Sequence, residues 1–201
     1  MPLDTLEAPD SSVHPAAELP LLATMIAEAL GAGYRGLRIF ANGTVRVRDP
    51  ARRTQHVRYE HLIDRVCRER PLTMLCAYDR TSLGDAAVAE LACVHPLAYG
   101  GLSPFQLSAD SRADVALAGS VDRFSAAHLT TALQRIGVPE PGVSFTVEAT
   151  ALEFVDHRAL LALDQYAALE RAAVVLQSAP SIVQRLMELL PLGAVRLEEA
   201  P

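Results

Sequence analysis

Short apolar runs of strand length alternate along this chain with longer runs whose apolar residues recur at helical spacing. That alternation is what most constrains its fold. In the first half, Leu21, Leu22, Met25, Ile26, Ala29 and Leu30 predict a helix over 17–30, stopped by Gly31 and Gly33. "YRGLRIFAN" (34–42) reads as a short strand, and "TQHVRYEHLIDRVCRER" (54–70) as a helix ending at Pro71. "LTMLCAYD" (72–79) has the length and boundaries of a buried strand, and "LGDAAVAELACVHP" (83–96) reads as a helix broken by Pro96. "LAYGGLSP" (97–104) collects Gly, Ser and Pro and marks the expected domain boundary.

The alternation then resumes. "FQLSA" (105–109), "DVALAGSVD" (114–122), "SFTVEAT" (144–150), "AAVVLQS" (172–178) and "AVRLEE" (194–199) predict strands. Helices are expected over 125–137, 157–170 and 181–190, the first with Ser125 as N-cap and Gly137 as C-cap. Strands feeding helices in this way are the grammar of an α/β layer, here in two parts.

Half of the 201 residues are apolar, with no tryptophan, so the core must be built from Leu, Val, Ile and Ala. All 18 basic residues are arginine, and the net charge of −6 argues against a general nucleic-acid binder. The charge is uneven. Arg46, Arg48, Arg52, Arg53, Arg58, Arg65, Arg68 and Arg70 face only Asp49, Glu60, Asp64 and Glu69 in the same window. This is a solvated helix face or a docking surface for an acidic partner, a second copy of the chain included. Three widely spaced cysteines, Cys67, Cys76 and Cys93, suggest neither a disulfide framework nor a zinc site. Residues 1–16 read as a loose polar tail without the apolar core of a signal peptide, and no apolar run reaches the ~20 residues of a membrane span. A cytoplasmic protein is expected.

Two sets of residues attract chemical attention. In "FVDHRALLAL" (154–163) a strand ends in Asp156 and a helix starts at once, so Asp156 is expected to cap that helix. His157 and Arg158 place positive charge in the first turn, against the helix dipole, which favours contact with a partner. The second set is Tyr59, Glu60, Cys76, Tyr78, Asp79 and His95. It admits a structural role, a ligand pocket, or a cysteine nucleophile or metal site, the last two being weakly signalled. "GAGYRG" (31–36) precedes a strand, not a helix, and lacks the geometry of a phosphate cradle.

"LAGSVDRFSAAHLTTAL" (117–133), "LEFVDHRALLAL" (152–163) and "VVLQSAPSIVQRLMEL" (174–189), with the Gly119-x-x-Asp122 turn and the Phe154-Val-Asp156 junction, resemble a STAS domain, the fold of bacterial anti-sigma factor antagonists. The stretch 58–96, with Tyr59-Glu60, Cys76-x-Tyr78-Asp79 and His95-Pro96, resembles the C-terminal part of a MEDS sensory domain, here shortened at its N-terminal side. The resemblances imply a tail over 1–16, a shortened MEDS-like α/β domain over 17–98, a linker over 99–104 and a STAS-like domain over 105–199 with a mixed four- to five-stranded sheet. In the STAS family the junction usually reads Asp-Ser-Ser-Gly, and a hydroxyl there is phosphorylated by a partner kinase. Asp156, His157, Arg158 and Ala159 stand in those places, so the usual switch is not expected.

The reading this supports is a non-enzymatic regulatory adaptor, like an anti-sigma factor antagonist. It would bind a protein partner, an anti-sigma or kinase-like regulator, through Asp122, Ser125, Asp156, His157 and Arg158. No cofactor, metal, nucleic acid or membrane is expected, and self-association is possible on this reading. The alternative is a small-molecule sensor with its pocket in the first domain. A cavity lined by Tyr59, Cys76, Tyr78 and His95 would favour the sensor; a solid core there would favour the adaptor.

Overall fold

The computed structural model describes residues 15–137 and 142–198. The chain divides into two compact units, Met1–Val88 and Ala89–Pro201. The expected linker at 99–104 lies inside the second unit, and most of the expected tail lies outside the described residues. The described residues contain no helix long and apolar enough to cross a membrane.

The first unit is built on two parallel strands, β1 (Leu37–Asn42) and β2 (Leu72–Ala77), paired from Leu37↔Leu72 to Asn42↔Ala77. Helix α1 (Pro15–Gly31) precedes them; the short α2 (Thr44–Val47) and the long α3 (Pro50–Glu69) form the crossover; α4 (Arg80–Leu83) follows β2. Two short helices, α2 and α4, go beyond what the apolar periodicity predicts, because four residues are too few to show a helical period. Asp49 caps α3 by accepting from the Ala51 N–H, and Pro50 stands in the first turn, where its missing N–H costs nothing. Leu22, Tyr59 and Ile63 form the core of this unit, with Leu19, Ile39, Cys67 and Met74 packed against it. The strands approach closely at Gly36, where a side chain's Cβ would lie 2.5 Å from the Pro71 carbonyl oxygen.

Helix α5 (Asp85–Ala92) carries the division between the units. In the second unit, β3 (Phe105–Ser108) runs antiparallel to β4 (Val115–Val121), and β5 (Ser144–Glu148), β7 (Ala173–Gln177) and β8 (Val195–Glu198) extend the sheet in parallel. A sixth strand, β6 (Leu152–Val155), pairs with the far half of β4. The sheet is therefore mixed, as expected, but has six strands. The run expected as a strand over 144–150 ends at Glu148 because the chain turns at 149–151, where Glu148 accepts from the Thr150 N–H, and β6 is the strand that leads to Asp156.

Helices α6 (Ala126–Ile136), α7 (His157–Leu169) and α8 (Ser181–Leu189) complete the unit. Phe105, Leu107, Leu133, Leu160 and Leu176 are fully buried in it. Gly119 is not a turn residue: it sits inside β4 at a bulge, with φ of +82° and Pro104 O only 2.5 Å from where a Cβ would stand. Ser125 also departs from expectation. Its hydroxyl makes no cap bond, because it is turned back to Asp122, whose carboxylate accepts from the Phe124 and Ser125 N–H groups. Gly137 does end α6, at φ of +83° with its N–H on Leu133 O.

Candidate ligand cavity

In open α/β sheets a crevice beyond the carboxyl ends of parallel strands is a common ligand site. The first unit has a cavity of about 200 Å³ at that end of β1 and β2, where Ala41 and Cys76 are register partners. Leu22, Ile39 and Met74 give it apolar walls; Glu18, Arg46, His56, Tyr59, Glu60 and Cys76 give it polar ones.

The polar wall is a network in which, among the described residues, His56 Nδ1 is buried without a hydrogen-bond partner. Arg46 donates to both oxygens of Glu18 at 3.1 and 3.0 Å, joining α2 to α1. The Arg46 guanidinium lies 5.9 Å from the centre of the Tyr59 ring, and the Tyr59 hydroxyl bonds Glu18. Burial, then Glu18, pushes the Tyr59 phenol far up, so it stays a neutral donor. Glu60, buried on α3, lies 3.1 Å from His56 Nε2 one turn away and accepts from Tyr78 Oη at 3.3 Å and Cys76 Sγ at 3.3 Å. His56 Nε2 is also 2.8 Å from Tyr78 Oη. Gly43 makes room for Tyr78: a Cβ there would fall 2.4 Å from the ring.

Burial and the Glu60 carboxylate push the Cys76 thiol well up, and the same causes raise Tyr78. A nucleophilic cysteine needs the opposite shift. Cys76 is thus a hydrogen-bond donor in the ground state, and the shift gives the nucleophile reading no support.

Of the six pocket candidates, Tyr59, Glu60 and Cys76 line the cavity, and Tyr78 stands behind Glu60. Asp79 does not belong to it. It is exposed and caps α4, and bonds from Ser82 and Thr81 hold its carboxyl at about 2. His95 belongs to the second unit, where its Nδ1–H donates to Leu91 O at 2.8 Å. Glu18, Arg46 and His56 are the residues that sequence reasoning missed. His56 and Glu60 at i and i+4 on an otherwise apolar face were the available signal; Glu18 is 28 residues from Arg46, and nothing local links them.

The junction in the second unit is assembled as well. Asp156 N–H donates to Val121 O, so the turns at Asp122 and Asp156 lie side by side. Asp156 accepts from the Ala159 N–H at 2.8 Å and is the cap of α7. His157 and Arg158 are exposed, but Ser125 is buried and unable to meet a partner in this state. Phe124 and Phe154, 72% and 49% exposed, flank these turns; neither stood among the expected partner-binding residues.

No curated protein matches this chain. The MEDS family model, described as MEthanogen/methylotroph, DcmR Sensory domain, matches residues 1–96, taking in α1, β1 and the cavity as well as the 58–96 stretch. Over those residues the chain is similar to a family of sensory domains.

Proposed function

We propose that the chain is a non-enzymatic regulatory protein whose first unit senses a small uncharged molecule in the cavity beyond β1 and β2. The observation that carries this is a cavity whose charges already have partners. Glu18 is answered by Arg46, and Glu60 by three surrounding donors. A charged guest would have to break one of these pairs inside a low-dielectric site, at a cost of several kcal/mol. A neutral guest against Leu22, Ile39 and Met74 meets no such cost. Size narrows the class further. A cavity of about 150 Å³ holds benzene, so about 200 Å³ suits a molecule of that size or slightly larger and is too small for a nucleotide.

The second unit supplies the output in this reading. A mixed sheet with one antiparallel edge, and exposed His157 and Arg158 beside Phe124 and Phe154, support a STAS-like platform for an acidic protein partner. The missing acceptor hydroxyl supports control by ligand occupancy in place of phosphorylation at that junction.

The test uses the full chain with toluene, benzoate and benzylammonium as matched probes, read by backbone amide shifts. Toluene should move resonances of β1, β2 and α3, its charged counterparts should not, and Ala41→Phe should abolish the response by filling the space. Equal responses to all three probes, or none to any, would remove the reading.

A further inference from the structure

At the opposite, amino end of β1 and β2 the first unit has an open groove of about 460 Å³, lined by Tyr34, Arg35, Arg38, Pro71 and Thr73 among others. Its chemistry is the reverse of the cavity's. Arg46, Arg52, Arg68 and Arg80 in this unit all have an acidic partner. Arg35 and Arg38, both exposed, have none among the described residues, nor does Arg70, which leads into Pro71. Tyr34 is 69% exposed on the same groove.

The simplest structural use of these arginines would be to balance helix dipoles, since α1 ends at Gly31 and α3 at Glu69. Each helix C-terminus carries only about half a negative charge. Those carbonyls are also already occupied: Glu28, Leu30 and Ala29 accept from Ala32, Gly33 and Tyr34, and Val66 accepts from Arg70. Three guanidiniums exceed the two half-charges and the Glu69 carboxylate together. Positive charge is left over.

We propose that this groove binds a small phosphorylated ligand carrying a planar ring, of the nucleotide class. Two guanidinium forks without internal partners suit a phosphate, which takes paired N–H donors better than a point charge. An exposed tyrosine offers a face on which a base stacks. The volume falls in the range of roughly 300–1,000 Å³ usual for such ligands. The groove is separate from the cavity and stands or falls independently of it.

The experiment is titration of the full chain with AMP at low salt, followed by calorimetry and by the Tyr34 and arginine side-chain resonances. Saturable binding is expected, weakened at least about tenfold by Arg35→Gln or Arg38→Gln, with melting temperature unchanged. Tyr34→Ala should erase the preference for AMP over inorganic phosphate, and Ala41→Phe in the cavity should leave AMP binding intact. Absence of saturable AMP binding, or binding indifferent to both arginine variants, overturns the proposal. So does binding of a single-stranded oligonucleotide with no affinity for the mononucleotide, which would make the groove a macromolecular track.

Discussion

The two units place different chemistry in their interiors. In the first, the buried face of α3 carries His56, Glu60 and His61 among Val57, Tyr59 and Ile63. In the second, the buried polar groups among the described residues are those of Ser108 and Ser125 and the Tyr166 hydroxyl, in an interior otherwise formed by Phe105, Leu107, Leu133, Leu160, Leu176 and their neighbours. Buried polar groups hold a fold together only when every partner is present, and they give less stability than the apolar packing they displace. A chain that can build the second kind of core but keeps the first kind beside a cavity has put binding chemistry where packing would otherwise be. On the function proposed above, the first unit is the responsive part and the second the rigid one.

The comparison can be broken most forcefully in the second unit. Phe105, 1% exposed on β3, should cost roughly 3–5 kcal/mol when changed to Ala. Urea denaturation followed in each unit should show the loss in the second unit's transition. A loss below about 1 kcal/mol would mean that its core relaxes easily and is not the rigid member.

Alkali probes the first unit. Cys76 and Tyr78 have folded-state values raised above their ordinary ones by burial and Glu60, and Tyr59 by burial and Glu18. Their contribution is therefore complete below the unfolded values of 9.0 for the thiol and 10.0 for the phenols, and is lost as pH rises beyond them. From about pH 9 to about pH 11 the first unit should lose roughly 5 kcal/mol, summed over the thiol and the two phenols. Amide hydrogen exchange in β2 and α3 should accelerate accordingly, beyond the intrinsic pH effect, with Cys76 becoming open to alkylation only as the unit opens. Rapid alkylation of Cys76 at neutral pH would contradict a closed donor network.

The smallest effects sharpen the surface of the second unit. Asp156→Ala removes the cap of α7 and should cost roughly 0.5–2 kcal/mol. Arg158→Ser, at an exposed site, should stay within about 0.5 kcal/mol. Thermal unfolding of both variants decides this, and a larger loss for Arg158→Ser than for Asp156→Ala would reverse the roles given to them.

The sequence by itself determined the element types, because apolar period and terminal signals are local. Asp156 could be read as a cap from the strand-to-helix switch around it, and Gly137 as a helix end, because both act on residues within four positions. Tyr59, Glu60 and Cys76 were legible as candidates by residue type alone. Tertiary structure decided what they do. Asp79 has the right chemistry but stands elsewhere, because capping α4 satisfies it locally, while Glu18 and Arg46 meet only when α1 packs beside the β1–α2 connection. Gly119 looked like a turn glycine because positive φ favours glycine in turns and bulges alike. Only the pairing of β4 with β6 told the two apart. Which charges find partners, and which arginines are left without one, is a property of three-dimensional proximity. Among the described residues, it made a cavity whose charged groups have partners at one end of the β1–β2 pair and a groove of unpartnered arginines at the other.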